Sequence, residues 1–185
     1  MSRPAVAALL RQLIQLCLLR AGPQDLPYSP QALALSATAL ISVQALFAVA
    51  QGVTALGTAL RAVITAFLLF TVTARLLRMR GLENRTLQTQ LALAGTGLLF
   101  ALAMMPTAMA PVPHAGSKDP PASVMVYALT AIVLFFWKLR VDAAIWRQAL
   151  DLQPAPAYAL TVVLMLAEAL LVLLLVPPVS GAAAS

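Results

Sequence analysis

Residues 54–85, TALGTALRAVITAFLLFTVTARLLRMRGLENR, decide the fold. The stretch 54–76 is largely apolar apart from Arg61, and Arg75, Arg78, Arg80 and Arg85 crowd its end. A run of this length wound as a helix matches the hydrocarbon thickness of a bilayer. An Arg cluster beside it is what halts a span at a cytoplasmic face. Strands are excluded because the run is rich in Leu and Ala and lacks the apolar/polar alternation of a membrane barrel.

Four further stretches have the same character: 31–50, 87–106, 122–139 and 157–176. With 62% hydrophobic and 10% charged residues among 185, the chain is no ordinary water-soluble domain. The sequence predicts an all-α integral membrane bundle, with five transmembrane helices forming a membrane domain over 31–178. A small-residue tail, 179–185, follows Pro177 and Pro178.

Residues 1–30 hold a sixth element. In PAVAALLRQLIQLCLLR (4–20), Arg11, Gln12 and Gln15 fall on one helical face, and Leu9, Leu13, Leu16 and Cys17 on another. The segment is short and interrupted, so an amphipathic helix in the cytoplasmic interface is expected. Arg11 inside the apolar run and the lack of a small-x-small site argue against a signal peptide. Gly22, as a left-handed residue, and Pro23 are expected to end the helix, and Pro30 to open the first span.

The loops then fix orientation. Arg3, Arg11, Arg20, Arg75, Arg78, Arg80, Arg85, Lys138, Arg140 and Arg147 fall on one side of a five-span protein, and Lys118 alone on the other. The bias predicts a cytoplasmic N-terminus and a periplasmic C-terminus. Ten Arg to two Lys, with abundant Ala, points to a high-GC bacterial genome and an inner-membrane location. The net charge of +6 is read as topology determination and attraction to anionic headgroups rather than nucleic-acid binding. Arg75, Arg78, Arg80, Arg85, Lys138, Arg140 and Arg147 form a candidate basic cytoplasmic face, open to an acidic protein partner. Trp137 is expected as an interfacial anchor at the end of span four. The helix is expected to continue as a stub with Lys138–Asp142 and Arg147–Asp151 pairs, ended by Pro154 and Pro156.

Two charges belong to neither side. Arg61 in span two and Glu168 in span five each lie roughly eight residues, or about 12 Å, from the outer end of their span. A lone charge at the bilayer centre costs on the order of 3 kcal/mol. The sequence therefore predicts that spans two and five are neighbours bridged by Arg61–Glu168. Three readings remain: a lock for the bundle, a proton or solute path, and an Arg61 that snorkels outward beside a protonated Glu168 or one paired with another subunit. Gln44 in span one is a candidate for the same cluster through an interhelical hydrogen bond.

Catalytic signatures are absent from the sequence. The single cysteine, Cys17, excludes an intrachain disulfide and a cysteine metal cage. His114 sits in the Pro-rich loop 111–121 with no ligand cluster, and Gly95-Thr96-Gly97 reads as a packing feature. Ser36, Ser42 and Ser123 have no base within a shared span, and the Asn84-Arg85-Thr86 sequon falls in a cytoplasmic loop. No cofactor or metal is expected and no enzyme. An odd number of spans also argues against an inverted repeat of equal halves. The expected role is a scaffold or accessory subunit of a membrane assembly, alone as a homo-oligomer or with a membrane-protein partner. The alternative is a small transporter or proton/solute channel subunit centred on Arg61 and Glu168.

The stretch LCLLRAGPQDLPYSP (16–30), an amphipathic helix with a Pro-rich turn into five spans, resembles a group of uncharacterised small proteobacterial inner-membrane proteins. The layout is also similar to bacterial members of the Yip family, five-span proteins with a cytoplasmic N-terminus. Neither resemblance implies site residues, and architecture does not carry function.

Overall fold

The computed structural model of the chain describes residues 3–108 and 122–176. His114, Lys118, the loop around them and the tail after Val176 lie outside the described residues. The elements are α1 (Arg3–Cys17), α2 (Pro30–Ala50), α3 (Ala55–Met79), α4 (Thr86–Ala108), α5 (Ala122–Ala149) and α6 (Pro154–Leu175). Short 3-10 turns, Pro23–Asp25 and Glu83–Arg85, precede α2 and α4. The last five helices are long and apolar enough to cross a membrane, so the chain has the build of a multi-pass membrane protein.

These five close into a ring in the order α2–α3–α6–α5–α4 and back to α2. We call the end carrying the α3–α4 and α5–α6 turns the basic end. There α3 also leans across to α4 and fills the ring's centre: Leu77, Thr73, Thr89 and Leu91 are all fully buried. Towards the opposite end the described residues leave the centre open.

Local chemistry sets the element ends. Ser29 caps α2 by accepting from Ala32 N at 3.2 Å, ahead of Pro30 at the first helical position. Thr54 caps α3 in the same way from Gly57 N at 3.1 Å. Four helices end through one left-handed residue followed by a backbone bond reaching five residues back: Arg20 N to Gln15 O, Val53 N to Ala48 O, Leu82 N to Leu77 O and Leu152 N to Arg147 O. Gly52 and Gly81 supply the positive φ for α2 and α3. Leu19 (φ 60°) and Asp151 (φ 51°) supply it for α1 and α5, at a cost of about 1–2 kcal/mol each.

Several expectations are corrected here. The left-handed residue ending α1 is Leu19, because Gly22 is extended at φ −113° and serves instead as the cap of the 3-10 turn. Pro154 does not end the α5 stub. It opens α6 one residue after its cap, Gln153, where a missing N–H costs nothing. The Arg147–Asp151 pair does not form, since Asp151 has left the helical path and binds Arg85 at 2.9 Å. The helix that carries Trp137 does continue past residue 139, to Ala149. Trp137 lies within the 28 residues of α5 and its indole donates to Cys17 O at 2.8 Å, occupying a carbonyl freed by the end of α1.

α1 packs on α4 and α5 outside the ring. Leu9, Leu13 and Leu16 are buried, and Leu13 presses so closely on Gly95 that a Cβ there would come within 2.4 Å of Leu13 Cδ2. Gly95 is small because α1 needs the space. A second apolar stripe, Val6, Leu10, Ile14 and Leu18, repeats every four residues and stays exposed. The helix thus carries apolar surface both towards the protein and away from it.

Candidate functional site

α3 carries the feature that shapes the site. Its backbone runs as a π-helix over Phe67–Val72, which withdraws carbonyls from the ordinary ladder. Two side chains occupy them: Thr73 Oγ1 donates to Leu68 O at 3.2 Å, and the buried Gln90 of α4 donates to Phe70 O at 3.0 Å. Within a bilayer such groups must be satisfied by protein. The Gln90 bond also ties α3 to α4 at the level where the ring centre begins to fill.

Above that level lies a cavity of about 330 Å³ inside the ring. Its polar wall comprises Gln44, Thr65, Lys138, Asp142 and Glu168, with Thr73 and Thr161. Gln44, Thr65 and Glu168 each stand fourteen residues from the basic end of their helix, about 21 Å at 1.5 Å per residue. Thr65 Oγ1 lies 3.0 Å from Gln44 Oε1 and 3.5 Å from Glu168 Oε1, joining three helices through one hydroxyl. A second cavity of about 420 Å³ adjoins it and is lined by Gln44, Gln51, Arg61, Thr65 and Glu168.

Arg61 and Glu168 therefore share a cavity wall, but they do not form the predicted ion pair within 4.0 Å. The reason is register. Thr65 faces Glu168, and a Cβ on Gly57 would meet Val176 at 3.0 Å, so residues of α3 and α6 facing one another keep a constant sum. Arg61 is then opposite Val172, one turn or about 6 Å from Glu168. Counting depth from sequence ends missed that offset. The Nε of Arg61 is buried without a partner.

The placement of Lys138 and Asp142 also differs from expectation. They pair as expected, but on the cavity wall rather than on a solvated cytoplasmic stub. The Asp142 side chain is 9% exposed, and its second oxygen, Oδ1, has no partner. Lys138, Asp142, Ile145 and Ala149 share one helical face, and the burial of the last two turns the pair inwards. Gln90 and Thr73 were missed as well, since nothing in an apolar run announces a π segment.

The remaining candidate cations lie at the basic end except Arg140. It stands on the outside of α5 at the level of Lys138 and Asp142, beside the end of α1, and so leaves the expected basic face. Arg85 donates to both oxygens of Asp151 at 2.9 Å and to Gln148 O at 3.1 Å, so it ties the start of α4 to the end of α5. Arg78 lies 3.2 Å from Glu83, an exposed pair of small energetic worth. Arg75, Arg80, Arg140 and Arg147 are exposed. Among the described residues no three His, Cys, Asp or Glu side chains group closely enough to hold a metal ion. Cys17 is half-buried at the end of α1; desolvation, then the nearby Asp142 carboxylate, push its thiol up from 9.0 to about 11, against a smaller opposing pull from Lys138.

No family model, curated protein or solved structure matches the chain.

Proposed function

We propose that this chain is a non-catalytic inner-membrane protein that handles a small solute or a proton at the charged cavity inside its ring. The observation that supports it is the shared wall itself: Lys138, Asp142 and Glu168 surround one open volume in the middle of five apolar helices. Ionisable groups at membrane depth are costly, and they are retained where they face a polar path or a ligand. A cluster serving only to lock helices would close its pairs and fill its centre. Here Asp142 Oδ1 and Arg61 Nε are left without partners beside unfilled space. The Arg-rich end is the cytoplasmic one in this reading, with the C-terminus periplasmic.

Flux through liposomes tests it. Purified protein is reconstituted with a trapped pH dye and, separately, with a panel of labelled amines, amino acids and sugars. A rate above protein-free liposomes that Glu168→Gln removes is the expected result. Vesicles that remain as tight as protein-free ones to every species would overturn it.

The accessory-subunit reading rests on a different observation, the uncommitted Arg75, Arg80 and Arg147 at the basic end. Each contributes about 1 kcal/mol of attraction to an anionic leaflet. Purification from native membranes with a stoichiometric acidic partner would favour it.

A further inference from the structure

The cavity's own chemistry narrows what it can hold. At its inner end the Asp142 carboxylate spends one oxygen on Lys138 and leaves Oδ1 unmatched. Thr161 and Thr73 also line this end, and both have given their protons to carbonyls of their own helices: Ala157 O at 2.9 Å and Leu68 O at 3.2 Å. Their hydroxyl oxygens can therefore act towards the cavity only as acceptors. Three acceptor-bearing side chains thus share one end of the space, beside a Lys138 ammonium that has given one of its three protons to Asp142.

Charge is uneven along the wall. Glu168 has the Arg61 guanidinium about one turn away in the adjoining cavity, whereas at the inner end Asp142 has Lys138 alone and keeps one carboxylate oxygen unmatched. A cation is favoured at that oxygen and an anion is not. The remaining wall is apolar and includes Phe100, Phe135, Trp146, Met104 and Met165. Aromatic faces and thioethers of this kind suit a cation that carries an apolar body. The volume of about 330 Å³ lies at the small end of the range for small-molecule sites.

We propose that the ring cavity is a binding site for a small protonated amine with an apolar or aromatic body, its ammonium held by Asp142 Oδ1 with the oxygens of Thr161 and Thr73 beside it, once side-chain rotation opens these buried acceptors to the cavity. The inference rests on the solute-handling reading of the same cavity, but it concerns occupancy rather than flux.

Equilibrium binding to the full chain in lipid nanodiscs tests it, using labelled 2-phenylethylammonium and its neutral isostere 2-phenylethanol. The wild type is expected to prefer the ammonium by roughly tenfold or more, the size of effect given by hydrogen bonds to a charged group. Asp142→Asn is expected to erase that preference while leaving the affinity for the alcohol in place. Thr161→Val, nearly isosteric and without the hydroxyl oxygen, is expected to reduce it several-fold; this variant decides the matter if Asp142→Asn does not fold. Equal affinity for the two probes in the wild type, or an ammonium preference unchanged in the folded variants, overturns the proposal. Amine binding without flux would sink the transport reading and leave this one, and flux without amine selectivity would do the reverse.

Discussion

The two halves of α5 are built from the same kinds of residue and lead different lives. From Val141 to Ala149 the helix is gripped: Val141, Ile145, Trp146 and Ala149 are all buried among α4, α6 and their neighbours. From Ala122 to Trp137 it is almost bare. Met125, Val126, Leu129, Ile132, Val133 and Phe136 are each more than half exposed, and even the stripe Val124, Tyr127, Ala131 and Leu134 is only half-buried. Apolarity alone does not make a core; it makes a core only where a second surface arrives. At the basic end α3 crosses to α4 and closes the ring, and at the opposite end no element among the described residues does. Lys138 and Asp142 sit at the changeover, so the charged wall marks the floor of the open half.

The largest test of that contrast uses one substitution twice on the same helix. Ile145→Ala in the gripped half is expected to cost about 2–5 kcal/mol by leaving a cavity the ring cannot collapse around. Ile132→Ala in the bare half should stay within about 0.5 kcal/mol. Reversible unfolding in mixed detergent micelles measures both, and equal losses would break the comparison.

Gly95→Ile comes next. Its side chain would collide with Leu13, so a cost of about 1–3 kcal/mol is expected, with α1 displaced from α4. Faster alkylation of Cys17 reports the displacement, and an unchanged rate would mean that α1 is not held at this contact. Trp137→Phe removes the indole donor to Cys17 O and should cost about 1 kcal/mol, measured in the same unfolding assay.

The smallest effect is a pH shift. Burial disfavours the Cys17 thiolate, so its alkylation should rise towards about pH 11 rather than the ordinary 9.0. The sign for stability follows: this group's contribution is constant below pH 9.0, and it declines as pH climbs through about 11, where the folded form must also ionise. Alkylation already complete at pH 9.0 would show that α1 does not shield the thiol.

Much of this fold is legible in the chain because membrane length, Arg clusters and cap residues such as Ser29 and Thr54 are local signals. What was not legible depended on register or rotation. Arg61 and Glu168 share a depth when counted from their outer span ends, yet the α3–α6 register sets them a turn apart. Lys138–Asp142 has the same i,i+4 spacing in water and on a cavity wall, and only the burial of Ile145 and Ala149 on that face separates the cases. Leu19 overrode Gly22 because the left-handed position is set by where α1 leaves its packing on α4, not by where glycine is available. The π segment had no composition cue, and its satisfying residues, Gln90 and Thr73, became meaningful only once α3 and α4 were side by side.

On the solute-handling proposal the ring is wet where it is open and dry where it is gripped. In a Cys17→Ser background, Thr65→Cys on the cavity wall and Thr89→Cys in the filled end make nearly the same steric change. A water-soluble methanethiosulfonate reacts with the thiolate, which forms only where water reaches. Modification of the Thr65→Cys thiol while the Thr89→Cys thiol stays inert is the predicted result, and a Thr65→Cys thiol as unreactive as the one at 89 would contradict it.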